Sequence, residues 1–151
     1  MLQEALLAWI HYLAIFLLVV AMTAQTVLLR PTLDANTIRR LAIYDRLYLA
    51  AAIAVIITGL LRLTLGPKGI AFYMSNPWFH AKMAFFILIA LYSIPPTLAF
   101  IRWNKQLRIH PDYVPDDTQV RRARRWVMVE VHLLILLPLF AALMANGVGF
   151  D

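Results

Sequence analysis

Residues 77–100 read PWFHAKMAFFILIALYSIPPTLAF, and this stretch decides the fold. Positions 83–100 carry no charged side chain. With the residues just before them they supply the ~20 apolar positions that a helix needs to cross ~30 Å of hydrocarbon. Backbone N–H and C=O groups in lipid must pair within their own segment, so a helix is expected here. Asn76 and Pro77 mark its start, the asparagine as a cap and the proline in the first turn. Lys82 stands at the mouth of the span. A lysine there is costly, so it reads either as a functional group or as an anchor whose stem reaches back to the surface.

Three further stretches have the same character. Spans are expected at about 5–29, 43–65, 79–101 and 126–145. The second has a short uninterrupted core, 47–61, and qualifies if the 43–46 turn sits at the interface. The whole chain supports the reading: 151 residues, 62% hydrophobic, with a mean hydropathy of +0.73, above the range of soluble domains. The expected fold is all-α, an integral membrane antiparallel four-helix bundle forming a single domain over 1–151. The first span has no basic region before it and is too long for a cleaved signal, so it is expected to remain as a helix. There is no cysteine, which excludes disulfides, thiolate metal sites and cysteine nucleophiles. With no methionine-rich motif either, soft-metal transport is disfavoured.

The net charge of +6 is unevenly placed. Eleven of the 14 basic residues fall in two segments, 30–46 and 102–125. The positive-inside rule puts both in the cytoplasm, with both termini and the 66–76 turn outside. The chain is thus expected to be a multi-pass membrane protein, with the lipid bilayer as its first partner. Topology accounts for the basic residues, and nucleic acid is not an expected partner. Gly66, Pro67 and Gly69 supply turn chemistry after the second span. Asp116 or Asp117 is expected to cap the last helix, and Gly147 and Gly149 follow it as stop signals. Pro95, Pro96 and Pro138 lie inside spans and predict kinks.

The polar residues within the spans carry the chemistry. At ~1.5 Å per residue, His11 lies about 8 Å into the first helix. His80 and Lys82 lie in the first turn of the third, and Arg62 ends the second on the same side. These four are expected to share one layer near the outer surface. His80 and Lys82, two positions apart, point about 160° away from each other. Lys82 shares its face with Ser93 and reads as inward, which leaves His80 at the rim. His11 shares a stripe with Leu18, Met22 and Gln25, also inward. Glu130 and His132 lie in the opposite half of the bundle, too deep for one metal to join His132 to His11. Glu130 is expected to meet Gln25 or Arg30, or to pair with Arg125.

Neutral imidazole is a common ligand of haem iron in helical bundles. A lysine amine ligates only when deprotonated, the form that an apolar pocket favours. Arg62 and Lys68 are placed to meet propionates, and Trp9, Trp78, Phe85 and Phe86 to line a flat macrocycle.

These residues resemble a known pattern. The Trp78-x-His80-x-Lys82 opening of the third span is similar to the corresponding helix of HemJ-type protoporphyrinogen oxidases, small bacterial membrane proteins that bind haem b. His11 matches their first-helix histidine. Thr58-Gly59 is similar to their second helix. Arg125 with Glu130-Val131 resembles an Arg…Glu-x-Pro stretch that opens their last. This chain departs from them at Leu18, Val19, Val20 and Ala21, where that family has a tryptophan and a glycine, and at His132, where it has a proline. The chain as a whole more closely resembles a family of predicted bacterial membrane proteins, a likeness that carries no activity with it. The resemblance to the oxidases implies the bacterial inner membrane and haem b, with His11 as metal ligand. Lys82 would be a second ligand or a proton-handling partner of substrate carboxylates. His80 and Arg62 would help to hold the cofactor, and Lys82 and Glu130 would be the catalytic candidates. The implied chemistry is electron transfer, or oxidation of a porphyrinogen with a quinone as acceptor. The alternative is a non-catalytic accessory subunit of a larger membrane complex, and a homo-oligomer is a further option.

Overall fold

A computed structural model describes residues 2–66 and 69–146. Pro67, Lys68, Gly147 and Gly149, singled out above, lie outside the described residues. Four long helices, α1 (Leu2–Leu28), α2 (Ala35–Leu65), α4 (Pro77–Ile109) and α5 (Asp117–Ala145), are each long and apolar enough to cross a membrane. A short α3 (Gly69–Met74) joins α2 to α4. The described residues contain no strand. The protein is an all-α, membrane-spanning four-helix bundle.

α1 packs mainly on α2 and α4 mainly on α5, and the contacts of α2 with α4 and of α1 with α5 close the ring. The diagonal pairs do not pack backbone to backbone. The start of α1 at Leu2 and the end of α5 at Ala145 lie at one end of the bundle, here the His11 end. The two basic connections lie at the other. Much of the outward surface is large apolar side chains, such as Phe16, Leu49, Ile57 and Ile135. That is the surface a bilayer solvates.

The helices run further than the apolar stretches alone suggest. α2 starts eight positions before 43, α4 ends eight after 101, and α5 starts nine before 126. The segments read as basic loops, 30–46 and 102–125, are therefore mostly helix, and the connections shrink to 29–34 and 110–116. The cause is a second apolar pattern hidden among the arginines. Leu29, Leu33, Ile38, Leu41, Phe100, Trp103, Leu107, Val120, Ala123 and Val127 form one buried cluster at the basic end. Trp103 is 1% exposed, and its indole N–H donates to Gln119 Oε1 at 3.1 Å. The arginines of these helices point outward while the stripe between them packs.

Local signals fix the helix starts. Asp34 caps α2, accepting the backbone N–H of Thr37 at 2.8 Å. Asn76 caps α4, accepting from the N–H of Trp78 at 2.9 Å, with Pro77 in the first turn as expected. Asp116 occupies the cap position of α5, yet its carboxylate accepts from the Thr118 hydroxyl at 2.6 Å and makes no cap bond to the backbone. α4 and α5 remain continuous helices through Pro95, Pro96 and Pro138.

Candidate functional site

His11 lies on the inward stripe of α1 with Leu18, Met22 and Gln25, as the periodicity required. It is 8% exposed. Its Nδ1 sits 2.7 Å from the hydroxyl of Thr58 on α2. That hydroxyl donates its own hydrogen to the Ala54 carbonyl at 2.6 Å. An oxygen whose hydrogen is committed elsewhere can only accept, so Nδ1 carries the imidazole proton. Nε2 is then the bare nitrogen, and it makes no hydrogen bond to a described residue. A ring nitrogen held by one fixed partner, with the other lone pair free, is the arrangement of a ligating or proton-accepting histidine. Gly59 packs beside the ring, and a Cβ there would stand 3.5 Å from His11 Cε1.

Two cations share this end. Arg62, one turn beyond Thr58, sets its guanidinium over the Tyr12 ring, 5.5 Å from the centroid. Lys82 is half-buried and interacts electrostatically with both Arg62 and His11. Among the described residues no carboxylate acts on Lys82. The site thus combines one bare imidazole nitrogen with two cations.

His80 stands apart. It is exposed, and its Nε2 donates to the Met74 carbonyl at 2.9 Å, which ties α4 to the end of α3. His132 is also exposed, its Nδ1 donating to Met128 one turn back at 2.6 Å. Among the described residues no three His, Cys, Asp or Glu side chains gather to hold a metal ion. A single imidazole suits a metal that brings its other ligands with it. Two clefts open between helices, about 350 Å³ beside Arg40 and Tyr44 and about 280 Å³ beside Tyr48 and Thr97. Neither is lined by His11, His80, Lys82 or Arg62.

Glu130 is 1% exposed and meets neither Gln25 nor Arg30. The groups acting on it are Tyr48 and Asp45 of α2. Gln25 instead donates to Asp45 Oδ1 at 3.4 Å, and the Thr97 hydroxyl donates to the same oxygen at 2.8 Å. All four long helices thus place a polar side chain in one buried layer. Asp45, Tyr48 and Thr97 were not anticipated from sequence, although a signal exists. Ile38, Leu41, Asp45 and Tyr48 recur at spacings of three and four, one face of a helix, and all four are buried.

A family model described as "Predicted membrane protein (DUF2214)" matches residues 3–149. No curated protein and no solved structure matches the chain.

Proposed function

The chain belongs to this family of predicted membrane proteins, and we propose that it binds a tetrapyrrole, haem b, at the His11 end of the bundle and serves a redox role. The observation that carries the reading is the Nδ1 contact of His11 with Thr58 at 2.7 Å, which leaves Nε2 as an oriented, unprotonated donor. A buried histidine kept for packing alone would gain by pairing both nitrogens. Haem iron brings four ring nitrogens of its own, so one protein donor completes a binding site where no cluster of ligands exists.

The two cations complete the argument. A haem presents two propionates, and Arg62 and Lys82 are basic groups at the same end of the bundle. We assign Lys82 to a carboxylate and not to the iron, because Arg62 acts on it and the two cations form one basic patch. Haem bound there would supply one-electron chemistry. The chain's residues would hold the iron through His11, fix that ring through Thr58 and neutralise the acid groups through Arg62 and Lys82. The substrate reading that follows is HemJ-like porphyrinogen oxidation, with a quinone as acceptor.

The test is a reduced-minus-oxidised spectrum of the protein purified in mild detergent from a haem-replete host. A b-type band that disappears in His11→Ala and weakens in Arg62→Gln/Lys82→Gln supports the proposal. A colourless, monodisperse protein that co-purifies with a stoichiometric partner overturns it in favour of an accessory subunit. Complementation of a strain lacking protoporphyrinogen oxidase tests the substrate separately.

A further inference from the structure

The buried layer at the basic end is chemically independent of His11. We propose that Glu130 binds an exchangeable proton inside the membrane, with Asp45, Tyr48 and Thr97 as the network that holds and relays it. This does not rest on the haem reading.

The geometry carries the argument. Glu130 Oε1 is fully buried and has no hydrogen-bond partner among the described residues. The groups acting on the carboxyl are the Tyr48 hydroxyl and the Asp45 carboxyl, with no lysine or arginine among them. The facing helices add only uncharged groups to the layer, Gln25 from α1 and Ser93 and Thr97 from α4. An ionised carboxylate left without a cation away from water costs several kcal/mol, on the order of a whole domain's stability margin. Two adjacent carboxylates cannot both carry that charge cheaply. Asp45 has donors, from Thr97 at 2.8 Å and Gln25 at 3.4 Å. Among the described residues Glu130 has a single donor, the Tyr48 hydroxyl. The proton therefore resides on Glu130, and Asp45 is the better-supported anion.

Access is short. Each helix places its polar residue five positions inboard of an arginine: Gln25 from Arg30, Asp45 from Arg40, Thr97 from Arg102, Glu130 from Arg125. Five positions are about 7–8 Å of helix. The layer thus lies just below the exposed arginines of the basic end. The cleft of about 280 Å³ between α2 and α4 opens onto the same layer, lined by Tyr48, Ser93 and Thr97.

The sequence makes the test unusually clean. The chain has two glutamates, Glu4 and Glu130, and Glu4 is exposed. Infrared spectra of the full-length protein in lipid at neutral pH, grown with carboxyl-¹³C glutamate, would read Glu130 without any mutation. The proposal expects a protonated carboxyl C=O band that shifts with the glutamate label and shifts again on transfer to D₂O. It expects the band to vanish in Glu130→Gln and to persist in Asp45→Asn. No labelled acid band at neutral pH would overturn it. So would a band insensitive to D₂O, or one removed by adding Na⁺, Mg²⁺ or Ca²⁺, which would make the layer a metal site instead.

Discussion

Thr58 accepts the Nδ1–H of His11 at 2.7 Å, joining α1 and α2 across 47 positions of chain. The hydroxyl can do so because its own hydrogen goes to Ala54. Thr58→Val keeps the shape of the side chain and removes the acceptor. Leaving the buried Nδ1–H without a partner should cost about 1–3 kcal/mol. Thermal unfolding in detergent would measure the loss. Bound haem should fall in parallel, while Thr58→Ser should restore both.

Gly66 ends α2 where its N–H bonds the Arg62 carbonyl at 3.0 Å. A Cβ at this position would overlap that carbonyl oxygen. Gly66→Ala should therefore displace the last turn of α2 and loosen the placement of Arg62 over Tyr12. Gly59→Ala should be tolerated, because its Cβ would meet His11 Cε1 at an ordinary 3.5 Å. It should gain up to about 1 kcal/mol from helix propensity. Comparing the two melting points tests the contrast.

Trp103 anchors the basic end at 1% exposure. Trp103→Ala should destabilise by about 3–5 kcal/mol. Trp103→Phe keeps most of the ring and loses the bond to Gln119, so it should cost nearer ~1 kcal/mol. If the cluster at the basic end is a packed core, denaturant titration will rank the two in that order.

The Asp34 cap gives a pH dependence outside the membrane. The hydrogen bond from Thr37 holds the Asp34 carboxyl below its ordinary value. A carboxyl that is lower in the folded state contributes stability above its unfolded value and loses it as pH falls through the folded one. Asp34→Asn, which caps without titrating, should flatten that acid-side loss. Asp34→Ala should lower the melting point at neutral pH. Melting curves across the acid range would show both effects.

The spans, the inward face of His11 and the rim position of His80 were legible because helical periodicity writes them into single stretches. The cap at Asn76 was legible for the same local reason. The basic end was not. Arg39, Arg40, Arg102, Arg121 and Arg122 mask the stripe through Ile38, Trp103 and Val120, so a packed helical core read as charged loops. Asp45 was hidden in the same way, flanked by Tyr44 and Arg46 and near Arg40, where a carboxylate looks solvated. Its role follows from Thr97, 52 positions away, and no local pattern encodes that partner. The hydrogen-bond accounting at Thr58, which decides the His11 tautomer, likewise needs coordinates.

We propose that haem iron binds at His11 Nε2, and cavity rescue reads that atom alone. His11→Gly would be purified from a haem-replete host with and without added imidazole, and the reduced-minus-oxidised spectra compared with wild type. Expected are a b-type band in wild type, its loss in the variant and its return with free imidazole. A band unchanged in His11→Gly, or none in wild type, would contradict it.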